Sequence, residues 1–214
     1  MALVLFDVDG TLLDPPGSER RFIRHLLRSR RIGARQLGAT LRFAWREAWR
    51  PGGAPKLRNK AYLDGMATAE VDDLGRRFAH RWLLPQVRPL LRARIADHLR
   101  AGDVTVLLTG TPEFLARPLA DGLGIEHCIA TRCAHAAGRY TDGAPLRHPY
   151  GITKLELARA FAAERGLDLG EAYAYADSKA DGPLLAAVGH PVAVTPEPRL
   201  AATAIEQGWE RLLS

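Results

Sequence analysis

Cysteine and methionine are scarce, two of each in 214 residues, and no apolar run is long. Cys128 and Cys133 alone cannot form a disulfide framework, and they lack the paired Cys-x-x-Cys spacing of a zinc site. Both are expected to be small core or loop residues in a reducing cytoplasm. No stretch reaches the roughly eighteen uninterrupted apolar residues of a membrane span. The apolar start ends at Asp7, without the basic region and cleavage site of a secretory leader. Internal repeats and low-complexity tracts are also missing. These absences lead to the expectation of a folded cytoplasmic protein.

The hydrophobic fraction of 47% and charged fraction of 25% are those of an ordinary globular chain. Its length suits one domain, or one domain carrying a smaller insertion. The net charge of +6 is uneven. Residues 18–60 hold eleven Arg and two Lys against Glu19 and Glu47, a balance of +11 that leaves −5 for the remainder. Such a segment can meet an anionic partner.

Short apolar runs at 2–6, 104–108, 127–130, 173–176 and 191–194 alternate with helical patterns after Pro112, Thr153 and Asp181. That alternation predicts an α/β fold with a doubly wound, Rossmann-like parallel sheet. Residues 15–85 break the rhythm. Phe22, Leu26 and Leu27, then Leu37, Leu41, Trp45 and Trp49, recur at helical spacing, which predicts an all-helical insertion. The expected division is 1–14 and 86–214 as core and 15–85 as insertion, with a helix over 88–100 leading back. Trp45 and Trp49, with Phe43, are expected in the insertion's core. RPGGAP (50–55) separates its helices, and 132–150 reads as a loop or short hairpin.

Four motifs follow predicted strands or open predicted helices. In FDVDGTLLD (6–14), Asp7 and Asp9 leave a buried strand at the end of the sheet where open α/β folds bind ligands, and Gly10 permits close approach to an anion. In LLTGTPEF (107–114), Thr111 is placed to cap a helix beginning at Pro112, setting Thr109 and Gly110 where phosphate is favoured. In GITKLELARAF (151–161), Thr153 and Glu156 fit a capping box, so Lys154 falls in a first turn, where the helix dipole disfavours a cation. In YAYADSKADGPLL (173–185), a strand delivers Asp177 and then Asp181, which can also cap the next helix. Further carboxylates near Asp7 repel one another unless a hard cation lies between them.

Together these stretches resemble the motifs of the haloacid dehalogenase superfamily, most closely its phosphoserine-phosphatase-like subfamily. The resemblance covers 1–14 and about 86–200. It implies a phosphoric monoester hydrolase in which Asp7 attacks phosphorus to form an aspartyl-phosphate, while Asp9 acts as general acid and base. It implies that Lys154, Thr109 and Gly110, with Gly10, meet the phosphoryl group. It also implies Mg²⁺ held by Asp7, the Asp9 carbonyl and Asp177, with Asp181 in support, and a helical cap over the site. Arg58 and Lys60 in the cap suit a substrate with a second anionic group.

The sequence departs from the subfamily where phosphoserine phosphatases carry a Glu for the substrate amine. Here that region reads Asp14-Pro15-Pro16-Gly17, and Glu19 is the nearest candidate. The expected partner is a small-molecule phosphate monoester, handled by a monomer or homodimer. A phosphotransferase with the same phosphoenzyme is an alternative. A basic binding module is another, with an anionic membrane surface as possible partner and nucleic acid less favoured. His98, His127, His148 and His190 are expected in structural roles.

Overall fold

Leu3–Phe6 forms β1, buried along its length because a run without polar residues has no face to offer water. The remaining strands are β2 (Val104–Pro112), β3 (His127–Thr131), β4 (His135–Ala136), β5 (Arg139–Tyr140), β6 (Tyr173–Ala176), β7 (His190–Val194) and β8 (Glu210–Leu212). They belong to a computed structural model that describes residues 1–48 and 59–213. Six strands make one sheet in the order β3-β2-β1-β6-β7-β8, with every neighbouring pair parallel. The chain winds outward from β1 through β2 to β3, then returns to β1's other side for β6, β7 and β8. The carboxyl end of β1 is therefore the switch point of the doubly wound sheet, where such folds bind ligands.

Between β1 and β2 lie α1 (Ser18–Arg28), α2 (Ala34–Ala48), α3 (Thr68–Phe78) and α4 (Pro89–Arg100). After β2 come α5 (Glu113–Leu123), α6 (Ile152–Arg165), the short α7 (Gly182–Leu185) and α8 (Pro198–Glu206). Alternate residues of β1 feed two cores. Val4 and Phe6 pack in one with Phe22, Leu26, Val71 and Phe78 of the insertion. Leu3 and Leu5 pack in the other with Leu155 and Phe161 of α6.

The insertion leaves and returns at one place. Arg88 N–H donates to Leu12 carbonyl at 3.0 Å, and its buried guanidinium reaches Gly10 carbonyl and Asp14. The antiparallel β4–β5 hairpin binds the insertion from the core side, through Gly65 N–H to Tyr140 carbonyl and Tyr140 N–H to Met66 carbonyl.

Several local expectations are corrected. Thr111 does not cap α5: β2 runs on to Pro112, and the helix start has no side-chain cap. Thr153 and Glu156 form no capping box, because α6 begins at Ile152 after Gly151. Asp181 precedes α7 but its carboxylate does not cap it. On α2 the buried residues are Ala39, Phe43 and Glu47, while Trp45, expected in the core, faces out. Trp49, Arg58 and RPGGAP lie outside the described residues. Cys128 is half-buried and Cys133 buried, and burial pushes both thiols up to about 12.

Candidate active site

Asp7 is the first residue beyond β1, anchored by its N–H to Tyr175 carbonyl of β6 at 3.0 Å. Its Oδ1 lies 2.9 Å from Lys154 Nζ, and the same ammonium is 2.8 Å from Asp181 Oδ1. Lys154 stands in the first turn of α6 and is only 3% exposed. Its sequence position is unfavourable for a cation, and two carboxylates compensate it.

Asp177, just past β6, completes the acidic group: ligand oxygens of Asp7, Asp177 and Asp181 all lie within 4.8 Å of one another. Thr11 Oγ1 donates to Asp177 Oδ1 at 2.9 Å, and Ser178 Oγ donates to Asp181 Oδ2 at 3.1 Å. Gly10 allows this approach. It has φ +94°, and a Cβ there would come within 2.0 Å of Asp177 Oδ2. The anion that Gly10 admits is thus Asp177's own carboxylate, and Gly10 is not on the cavity wall.

Burial pushes the Asp7 carboxyl from its ordinary 3.8 up to about 6; Lys154 opposes the rise and Asp181 adds to it. Asp177 is pushed up to about 7 by burial first and by the charge of Asp7 second. Burial works against the Lys154 ammonium, but Asp181 and Asp7 hold it above the usual lysine range. Three carboxylates against one ammonium leave a formal charge of −2. An all-oxygen cluster of that charge fits a hard divalent cation such as Mg²⁺.

Asp9 stands apart from this cluster, and its side chain is not in the acidic trio. Oδ1 accepts the N–H of Ser18 at 2.6 Å, the first residue of α1, while Oδ2 accepts from Ser18 Oγ at 3.1 Å and Thr111 Oγ1 at 3.2 Å. A carboxylate at a helix N-terminus is favourably placed. Gly17 makes room for it, since a Cβ there would lie 2.8 Å from Asp9 Cγ.

Thr109, Gly110 and Thr111 fall where the β2–β3 register shifts, between Leu108 and Pro112. Such an irregularity bends the end of a strand. Thr131 Oγ1 fastens the bend by donating to Gly110 carbonyl at 2.6 Å.

A cavity of about 480 Å³ joins these parts: Asp7, Asp9, Thr109, Gly110, Lys154 and Asp181 line its floor. Pro15, Pro16, Ile23, Glu19, Arg20, Asn59 and Lys60 of the insertion form the opposite wall, and His148 and Tyr150 close a side. The rings of His148 and Tyr150 stack at 6.0 Å between centroids. Lys60 Nζ lies 2.5 Å from Glu19 Oε2, and Tyr62 OH donates to Glu19 Oε1 at 2.8 Å. Both Glu19 oxygens are therefore engaged from within the protein.

Ser18, Thr11, Thr111 as an Asp9 partner and His148 as a wall residue were not anticipated from sequence. Ser18 and Thr111 meet across 93 residues, a pairing that only the fold creates.

A parallel sheet with a buried acid–lysine cluster at its switch point, open to a cavity walled by inserted helices, defines a class of α/β hydrolase. The haloacid dehalogenase-like hydrolase family model matches residues 4–186, and the chain belongs to that family. "Histidinol-phosphatase" of Neisseria meningitidis serogroup C is 31% identical over 97% of this chain and 96% of its own length. "Phosphoserine phosphatase SerB1" of Mycobacterium tuberculosis is 29% identical over 98% of this chain and 70% of its own. Among solved structures, a protein of unknown function from Bordetella pertussis Tohama I superposes with TM-score 0.83 at 29% identity, covering 99% of this chain and 97% of its own. A phosphoserine phosphatase solved as a phospho-aspartyl intermediate analogue superposes at 0.63 over 99% of this chain and 92% of its own; at 18% identity it shows the fold alone. The chain is a phosphatase of the family.

Proposed function

We propose that the chain hydrolyses a small-molecule phosphate monoester by way of a phosphoryl group carried transiently on Asp7. The observation that supports this most is the Lys154 ammonium held between Asp7 and Asp181, at a sheet switch point that opens to a cavity. A carboxylate oxygen of Asp7 attacks phosphorus, and the bond to the ester oxygen breaks. Asp9 gives that oxygen its proton. Asp9 then takes a proton from water, whose oxygen attacks the phosphorus of the Asp7 ester, releasing inorganic phosphate and restoring Asp7.

Thr109 hydroxyl, Gly110 N–H and Lys154 hold the phosphoryl oxygens during both steps. Asp7, Asp177 and the Asp9 main-chain carbonyl would hold Mg²⁺, with Asp181 in support. Bound there, the cation offsets the negative charge that Asp7 and the phosphoryl group bring together. Residues 15–85 serve as a cap over a core of 1–14 and 86–214, excluding bulk water from the cavity. Lys60 is bound to Glu19 and acts on the cavity's charge through that pair.

The named relatives put histidinol phosphate and phosphoserine first among candidate substrates. The stacked His148–Tyr150 pair offers a flat surface to a ring, which favours the imidazole-bearing ester. The test is Mg²⁺-dependent phosphate release from an aryl phosphate, followed by a panel led by these two esters. Asp7→Asn is expected to lower kcat by at least about 10³-fold while leaving the protein folded. Folded wild-type protein with Mg²⁺ that releases phosphate from no monoester would overturn the proposal. Transfer of the phosphoryl group to an added alcohol faster than to water would replace it with the phosphotransferase reading.

A further inference from the structure

Helix α2 packs inward through Ala39, Phe43 and Glu47. At 100° per residue the opposite side is formed by Ala34, Leu37, Gly38, Leu41, Ala44, Trp45 and Ala48. That side carries no charged or hydrogen-bonding group except the indole N–H. Its large members are open to water: Leu37 is 56% exposed, Leu41 71% and Trp45 71%. A soluble protein commonly exposes single apolar residues, but a helix whose whole outward stripe is apolar needs a partner.

Charge indicates which partner. Arg35, Arg42 and Arg46 are all exposed and share one flank of the stripe, where Arg35 pairs with Asp64 while Arg42 and Arg46 share Asp142, so that cations outnumber carboxylates, and the helix's one acidic residue, Glu47, is buried. Arg24, Arg28 and Arg30 add exposed cations on the preceding segment. A second copy docking antiparallel through the same stripe would set Arg against Arg, because a two-fold across the helix axis keeps the Arg flank on the same side in both copies. Leu and Trp with flanking Arg instead match the layered chemistry of a bilayer surface, where indole rings sit at headgroup level and arginines reach anionic phosphates.

The helix that carries the stripe also touches the cap wall of the catalytic cavity. Asn59, which lines the cavity, donates to Thr40 carbonyl of α2 at 3.0 Å. A membrane on the outer face would therefore lie about one helix diameter, roughly 10–12 Å, from that wall.

We propose that the outer face of α2 is a docking surface for an anionic lipid bilayer, a property separate from the catalytic reading. The experiment is co-sedimentation of the full chain with phosphatidylcholine vesicles with and without phosphatidylglycerol, at low and high salt. Wild-type protein is expected to sediment with the anionic vesicles in a salt-sensitive way. Leu37→Glu with Leu41→Glu should weaken the partition at least about tenfold, since both side chains lose their apolar burial. Circular dichroism and phosphate release should stay unchanged in that variant. If it misfolds, Trp45→Phe serves instead, keeping most of the partition while reducing the lipid-induced blue shift of tryptophan emission. Absence of sedimentation on anionic vesicles at low salt overturns the proposal. So does sedimentation that the double Glu variant retains in full, or a homodimer that this variant dissolves.

Discussion

At the carboxyl ends of β1 and β6, three carboxylates and one ammonium sit together with little access to water, and each has a partner within hydrogen-bonding reach. On the insertion the arrangement is reversed. Arg20, Arg24, Arg28, Arg30, Arg31, Arg35, Arg42 and Arg46 are exposed, and so are Leu37, Leu41 and Trp45. The first region concentrates charge where the dielectric is low, so each substitution there is costly. The second spreads charge where water and salt weaken it, so its arginines bear on association more than on folding. In the proposed function the division follows the same line: the sheet end carries the chemistry, and the insertion decides what reaches it.

The largest effect should come from deleting the ammonium between the two carboxylates. Lys154→Met leaves Asp7 and Asp181 facing each other, and removing one member of a buried ionic group typically costs about 3–5 kcal/mol. Urea unfolding without divalent cation should show a loss of that order, together with loss of turnover. By contrast, Arg35→Ala removes an exposed guanidinium from beside Asp64, where water can take its place, and should cost clearly less. Equal losses in the two variants would mean that the difference between the regions is not electrostatic.

Protons and Mg²⁺ should compete at the sheet end and not on the insertion. The Asp7 carboxyl at about 6 and the Asp177 carboxyl at about 7 lie above their ordinary 3.8, so the folded chain binds more protons than the unfolded one. Without cation, the stability these two groups contribute is present below about pH 4 and lost as pH rises through about 7. A divalent cation needs both ionised. Its affinity, read from the thermal shift, should be on the order of a hundredfold weaker at pH 5.5 than at pH 8. A Mg²⁺ shift that ignores pH would argue against binding at Asp7 and Asp177.

How far the sequence foretold these regions follows from how local the determining forces are. Strands β1, β2, β3, β6 and β7 are legible because buried parallel strands are short apolar runs. The edge strand β8 is not, since Glu210-Arg211-Leu212 shows no apolar run. Asp7, Lys154 and Asp177 are legible because each follows a strand or opens a helix. Thr111 is misread as a cap because its true partner, Asp9, lies 102 residues away in sequence. On α2, periodicity finds the spacing of four in both Ala39-Phe43-Glu47 and Leu37-Leu41-Trp45. It cannot say which face the rest of the molecule covers.

The Thr111 contact yields a smaller effect that tests the role proposed for Asp9. Thr111→Val removes one donor from Asp9 Oδ2 while the Ser18 contacts remain, a loss of about 1–3 kcal/mol at a site shielded from water. If Asp9 protonates the departing oxygen, kcat should fall about tenfold for an alkyl phosphate and less for an aryl phosphate, whose leaving group needs no proton. Equal losses for the two esters would place Thr111 in phosphoryl positioning.

The smallest expected effect lies where the two regions meet, in the Lys60–Glu19 pair. Lys60 neutralises Glu19 on the insertion's side of the cavity, and Tyr62 takes its other oxygen. A substrate ammonium would have to displace a cation already supplied by the protein. Lys60→Gln should leave Glu19 available to an external amine, lowering KM for phosphoserine and histidinol phosphate by a few-fold, about 1 kcal/mol. KM for an aryl phosphate without an amine should not fall, and kcat for either class should change little, because the pair's contacts are to one another and to Tyr62 rather than to the attacking carboxylate. Parallel changes in KM for both classes would show that Lys60 acts on the phosphoryl group. The insertion would then belong to the same electrostatic system as the sheet end.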